Sequence, residues 1–160
     1  MSSKSSLIEV RDGHLGKAVH ACRRLDRGQL ILTAWGPLIS HRTRHSIQVS
    51  HDEHVVVGTT MELLNHSCDP NCGFLIRRDA EVIELYPLRT IEPGEEMTID
   101  YATFEDEIQH MDGSCLCGSS ICRGKITGYH ALSIDRRLAL ADFIAPHLRE
   151  YEPAAETGAA

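Results

Sequence analysis

The chain has 160 residues, 42% of them apolar and 24% charged, with a formal net charge of −7. That length fits one domain with its own hydrophobic core, and no stretch reaches the roughly 18 apolar residues that a membrane span needs. Without a Lys/Arg-rich run, the sequence speaks against tight binding through nucleic-acid phosphates.

Ser2 to Ser6 and Glu152 to Ala160 are small, polar or Ala/Gly-rich, and both ends are expected to fray. The opening Met1-Ser-Ser-Lys-Ser-Ser6 lacks the apolar stretch of a secretory signal. We expect an intracellular protein, cytoplasmic, or nuclear in a eukaryotic host. Leu7 to Val10, Ala18 to Cys22 and Gln29 to Ala34 read as short strands, the last two separated at Asp26-Arg-Gly28. Ser46 to Val49 and His54 to Val57 predict a hairpin around His51-Asp52-Glu53. Gly73 to Arg77 and Glu81 to Leu85 predict another, turning at Arg78-Asp79-Ala80. Glu92-Pro-Gly94 carries the type II turn preference, and Thr98 to Tyr101 continues as a strand. Ile134, Leu138, Ala141, Ala145 and Leu148 recur at helical spacing behind a Ser133 N-cap, with Pro146 expected to kink or split the helix. That stripe is expected to pack on its own domain.

Two features carry chemistry. Cys115-Leu-Cys117-Gly-Ser-Ser-Ile-Cys122 has the form C-x-C-x4-C, close enough for its thiolates to wrap a tetrahedral zinc ion. Six cysteines in an intracellular chain favour metal binding over disulfides. Three thiolates leave one position open, for water or for a fourth ligand; Cys68 and Cys72 are both candidates. The second feature is the acidic run of Glu92, Glu95, Glu96, Asp100, Glu105, Asp106, Glu107 and Asp112, without an intervening Lys or Arg. A solvated face is the ordinary reading of such a run, and a field that steers a cationic amine is the functional one. The pairs His41/His45 and His51/His54 lack the carboxylate or cysteine that would complete a second metal site.

Asn65-His-Ser-Cys-Asp-Pro-Asn71 resembles the N-H-S-C-x-P-N signature of SET-domain methyltransferases. Ile91 to Tyr101 resembles the same family's I-x-x-G-E-E-L-T-x-D-Y segment, and Cys115 to Gly124 its post-SET C-x-C-x4-C-R-G motif. The three stand in family order. The resemblance implies a mainly β fold with short helices, in which small sheets surround a pseudoknot. It implies a SET domain over 7–112, a post-SET zinc segment over 113–128 and a C-terminal helical segment over 129–151, between disordered ends at 1–6 and 152–160. The cofactor implied is S-adenosylmethionine, held by Gly16, Lys17, Ala18, Asn65 and His66. Tyr101 would line the methyl-transfer channel as the catalytic residue. Cys68, Cys115, Cys117 and Cys122 would hold a structural zinc ion, leaving Cys72 free.

Departures from the family pattern cluster on the acceptor side. Ala18 replaces the second glycine of the cofactor loop, Ala34-Trp-Gly-Pro37 lacks the usual tyrosine and acid, and Glu62 stands where arginine is common. The insert that shapes the peptide groove is cut to residues 40–57. Trp35 is expected in the core, and Arg123 and Lys125 in solvent. The implied activity is N-methylation of a protein lysine, with no direct nucleic-acid or membrane partner. The alternatives are a SET-type enzyme acting on a small amine or other small molecule, and a SET-like binding module that has lost catalysis.

Overall fold

The structure, a computed structural model, describes residues 6–13, 15–78, 81–109, 111 and 113–150. The expected frayed ends (except Ser6), Asp79 and Ala80 of the second hairpin turn, and Asp112 of the acidic run lie outside the described residues.

Alternation of apolar and polar residues builds short strands that pair mostly with near neighbours. β1 (Ile8–Gly13) and β2 (Gly16–Ala21) form an antiparallel hairpin, which buries Val19 and Ala21 and exposes β1. β3 (Leu32–Ala34) leads past the Trp35 corner to β4 (Leu38–Ile39). β5 (Ile47–Gln48) and β6 (His54–Val55) are the expected first hairpin, and β4 adds to the other edge of β6. β7 (Asn65–His66) follows a 3₁₀ turn at Thr60–Leu63 that Thr59 caps. β8 (Cys72–Arg77) and β9 (Val82–Pro87) are the expected second hairpin, and β3 joins β9 to complete a three-stranded sheet. Gly94 sits at φ 82°, as a type II turn requires, and the following residues hydrogen-bond along β2 through Met97 N–H to Val19 O at 2.8 Å.

The chain then returns to β7. β10 (Thr98–Ile99) pairs parallel with it, Thr98 opposite Asn65 and Ile99 opposite His66. Parallel pairing demands a crossover, supplied here by the β8–β9 hairpin. Asn71, buried at the end of the N-H-S-C-D-P-N motif, fastens the return. Its Oδ1 accepts from Thr98 N at 2.8 Å and its Nδ2 donates to Glu96 O at 2.7 Å. Leu25, Leu64, Phe74, Leu85, Ile91 and Met97 fill the core between the sheets.

Trp35 is not in the core: it is 70% exposed. Strand alternation explains the correction, because Ala34 takes the inward position at the end of β3 and so turns Trp35 outward.

The C-terminal region is split at Pro146 as expected, but it breaks earlier as well. Ser133 does cap α1 (Ile134–Ala139), accepting from Arg136 N, but the helix stops at Leu140. A 3₁₀ turn at Ala141–Phe143 follows, and Pro146 opens α2 (Pro146–Arg149) at its first turn, where its missing N–H costs nothing. The stripe breaks as a result. Ile134 and Leu138 are 75% and 70% exposed, while Leu140, Ile144, Ala145 and Leu148 are buried.

Close backbone approach at Gly128 joins this region to the rest. A Cβ there would sit 2.0 Å from Asp106 O and 2.7 Å from Glu107 N, and Tyr129 N–H donates to Glu105 O at 2.9 Å. Gly128→Ala should therefore push residues 105–107 off their seat and destabilise the fold by about 3 kcal/mol, read by urea denaturation.

His147 on α2 is fully buried, with neither ring nitrogen in a hydrogen bond, and its ring lies edge-on to His51 at 6.0 Å. Burial pushes its pKa down to about 4, with the His51 charge acting in the same direction. A depressed histidine contributes stability above its unfolded value of 6.5 and loses it as pH falls toward 4. The stability of the wild type relative to His147→Leu should accordingly drop by up to about 3 kcal/mol across that window, read by denaturation at stepped pH. Glu105, raised to about 7 by burial against its Arg42 partner, acts oppositely and loses stability as pH rises through that value. The comparison with the variant isolates the histidine.

Candidate functional site

The parallel β7–β10 pair brings the two motif segments side by side, and the site grows from their ends. Asp100, completely buried, follows β10 and caps the 3₁₀ turn Tyr101–Thr103 by accepting from Ala102 N at 3.1 Å. Burial holds the His66 pKa down, near 4, against the nearby Asp100 charge. The ring is thus neutral, and its two nitrogens take distinct roles. Nδ1 accepts from Tyr101 N at 3.3 Å, and Nε2 points to Cys68 Sγ at 3.5 Å. The His66 ring is accordingly turned inward, between the Tyr101 turn and Cys68. Asn65 also spends its side chain internally, donating to Glu96 Oε1 at 2.8 Å and to Lys17 O at 3.3 Å.

Cys68 meets the C-x-C-x4-C segment. The Sγ atoms of Cys68, Cys115, Cys117 and Cys122 all lie within 4.8 Å of one another. The 3.8 Å between Cys68 and Cys115 matches the edge of a tetrahedron with metal–sulfur bonds of about 2.3 Å. Backbone N–H groups of Arg123 and Gly124 point at Cys68 Sγ and Cys122 Sγ, each at 3.4 Å. Burial raises the thiol of Cys68, and that of Cys115 to about 12, whereas at Cys117 burial is outweighed by hydrogen bonds, which bring the thiol down to about 6; a divalent cation would supply the charge that ionises the raised pair. The donor set fits zinc. Cys72 lies apart, buried at the start of β8, its thiol pushed up to about 12 by burial.

Between the β1–β2 turn, β7 and the cysteine segment lies a cleft of about 600 Å³. Gly16 and Lys17 form one wall, Leu64 to His66 the second, and Cys115 to Cys117 the third. A narrower cavity of about 80 Å³ adjoins it, walled by Ile47, Met61, Phe74, Ile99 and Phe104, with Glu105 and Glu107 among its polar lining. Leu64 and Tyr101 line both spaces. The Tyr101 hydroxyl donates to Leu64 O at 2.9 Å, and burial raises its pKa to about 12. Ala18 does not line the cleft; it is buried behind it.

The acidic run does not present a continuous negative rim. Arg42 joins Glu105 at 2.8 Å and Asp106 at 2.6 Å, Arg24 joins Glu92 at 3.0 Å, and Arg89 pairs with Glu95. Asp100 binds Arg123, through Nη1 at 2.7 Å and Nη2 at 2.8 Å. Arg123 therefore does not face solvent as expected, whereas Lys125 does. These arginines are the residues that sequence reasoning missed. Arg24, Arg42 and Arg123 lie 23 to 68 positions from their partners, whereas Arg89 turns back onto Glu95 only six positions away. The four histidines also find separate places: His41 is exposed, His45 Nδ1 lies 3.3 Å from Glu62 O, His51 reaches Glu150 at 3.4 Å, and His54 is buried near Ser46. Among the described residues the four cysteines are the cluster that could hold a metal.

The SET domain family model matches residues 16–102. A histone-lysine N-methyltransferase, H3 lysine-4 specific, from Emericella nidulans is 43% identical over 81 residues, covering 46% of this chain and 7% of that protein. One of the same description from Schizosaccharomyces pombe is 33% identical over 124 residues, covering 65% of this chain and 13% of the relative. The chain thus spans a small part of the curated relatives it matches. Among solved structures, KRYPTONITE in complex with mCHH DNA, H3(1-15) peptide and SAH aligns at a TM-score of 0.62 with 22% identity, over 74% of this chain and 29% of that one. The fold is shared.

Proposed function

Because the chain belongs to the SET-domain family, we propose that it transfers a methyl group from S-adenosylmethionine to the side-chain amine of a protein lysine. The observation that carries this reading is the meeting of the wide cleft and the narrow cavity at Leu64 and Tyr101. A cofactor and an acceptor can thereby approach one another from different sides. We assign residues 7–112 to the SET domain, 113–128 to the zinc segment and 129–151 to a C-terminal helical segment.

S-adenosylmethionine, when bound, supplies a methyl group on a sulfonium sulfur. The walls that would hold it are Gly16 and Lys17, the backbone of Asn65 and His66, and the Cys115 to Cys117 stretch. Zinc on Cys68, Cys115, Cys117 and Cys122 would fix that last wall. Ala18 serves by packing behind the loop.

On the acceptor side, a lysine amine has an ordinary pKa of about 10.4 and attacks only when neutral. Ile47, Met61, Phe74 and Phe104 disfavour the ammonium form, as do Arg42 and Arg44, while Glu62, Glu105 and Glu107 in the same lining attract it into the cavity. Tyr101, protonated far above neutral pH, cannot act as the base. Its hydroxyl donates to Leu64 O and so turns its lone pairs outward, where they accept from the amine and orient it.

The named relatives are H3-directed enzymes, and a lysine in a histone-type peptide is the acceptor we favour. In a eukaryotic host such an acceptor puts the site of action in the nucleus, in a prokaryotic one in the cytoplasm. The test is mass spectrometry of a lysine-bearing H3 amino-terminal peptide incubated with the zinc-loaded protein and S-adenosylmethionine. Methyl gain on a lysine, absent when that lysine is replaced by arginine, supports the reading. Gain on small amines alone would move the assignment to a small-molecule enzyme, and binding of the cofactor without any turnover to a binding module.

A further inference from the structure

Arg123 sits next to the zinc ligand Cys122, yet its guanidinium leaves the zinc segment and enters the knot. There it forks onto both carboxylate oxygens of Asp100 at 2.7 and 2.8 Å. Asp100 is completely buried, and one of those oxygens also caps the turn that begins at Tyr101. Arg123 N–H meanwhile points at Cys68 Sγ, so the residue touches the cysteine cluster with its backbone and the tyrosine turn with its side chain. Removing the fork would leave a buried carboxylate uncompensated, free to draw the turn toward another donor.

We propose that Arg123 is a positioning residue for methyl transfer: it couples the docked zinc segment, through Asp100, to the placement of the Tyr101 hydroxyl. The inference rests on the methyltransferase reading for its consequence, though its geometry does not. A bidentate guanidinium–carboxylate pair is directional in a way that an ammonium is not, so lysine in its place keeps the charge and loses the alignment. Three readouts then separate. Zinc content should be unchanged, because all four thiols remain. The affinity for S-adenosylmethionine and the acceptor KM should stay within about threefold, because neither cavity wall is altered, while kcat falls by between about tenfold and a hundredfold from misplacement of the hydroxyl.

The experiment is Arg123→Lys in the full zinc-loaded chain, with Asp100→Asn as a second variant that keeps the cap acceptor and loses the charged pair. Each is assayed for zinc, for kcat and KM, and by amide hydrogen exchange. Exchange in residues 98–105 should quicken by about tenfold in both, while β9 stays as in the wild type. Unchanged exchange in residues 98–105 overturns the proposal, as does an unchanged kcat, or a rise in KM in place of the fall in kcat. Zinc loss in Arg123→Lys also overturns it, since the residue would then belong to the metal site. A wild-type protein that methylates no acceptor would overturn the functional reading instead, and exchange alone would then decide the Arg123–Asp100 coupling.

Discussion

Cys115→Ser is expected to abolish stoichiometric zinc and to weaken S-adenosylmethionine binding at least a hundredfold, about 2.7 kcal/mol or more, while the sheets remain folded. The reason is that Cys115 does two things at once. It is one of the four clustered thiols, and it belongs to the wall of the 600 Å³ cleft. Outside the cluster, few contacts hold the segment that carries it. Ile126 N–H closes the loop on Gly113 O, Arg123 N–H points at Cys68 Sγ, and the Arg123 side chain reaches Asp100. Structural zinc contributes on the order of 10 kcal/mol in small domains, far beyond what those contacts supply. The core around Phe74, Leu85 and Met97 lies away from the cluster, so far-UV circular dichroism should change little. Metal analysis and calorimetric titration read the outcome. Cofactor affinity that survives the loss of zinc would show that the segment docks without it.

Tyr101→Phe should lower methyl transfer by about a hundredfold or more and leave cofactor affinity within about threefold. Only one hydrogen bond disappears from the fold, that from the hydroxyl to Leu64 O. Its loss leaves a buried carbonyl and costs about 1 kcal/mol, so thermal unfolding should shift by only a few degrees. The aromatic contacts to His66 and Phe104 are retained by phenylalanine. A variant with near wild-type kcat would remove Tyr101 from the chemistry and leave it a core residue between two cavities.

How much of this was legible beforehand follows from the range of each interaction. The two hairpins β5–β6 and β8–β9 were readable because alternation and turn residues are local. The Glu92-Pro-Gly94 turn was readable for the same reason. The site motifs were readable through their resemblance, and the choice of Cys68 over Cys72 as the fourth clustered thiol agrees with what that resemblance implied. What spacing alone could not display was the set of long-range pairs. Arg42 is shared by Glu105 and Asp106 across more than 60 positions, and Arg24 meets Glu92 across 68, so an acidic run that looked open is partly compensated. Arg123 looked like a surface residue because its partner Asp100 lies in a different motif.

The C-terminal helix was legible only at Pro146, where the expected split falls, and not in its earlier stop at Leu140. A period of three and four is compatible with one long helix, but Pro146 and the packing of Phe143 against Gly73 divide it, with the ring about 2.6 Å from where a Cβ on Gly73 would stand. Tertiary packing overrode periodicity, and the two largest apolar residues of α1 stayed in solvent. At Trp35 residue type misled, since size and hydrophobicity argued for burial while strand alternation pointed the ring out.

The most direct measurement uses methyl-labelled S-adenosylmethionine with the purified, zinc-loaded protein and a cell extract, separated afterwards into protein and small-molecule fractions. The account predicts label in a protein band, on lysine, lost in Tyr101→Phe. Label confined to small molecules, or protein label that persists undiminished in Tyr101→Phe, would contradict it.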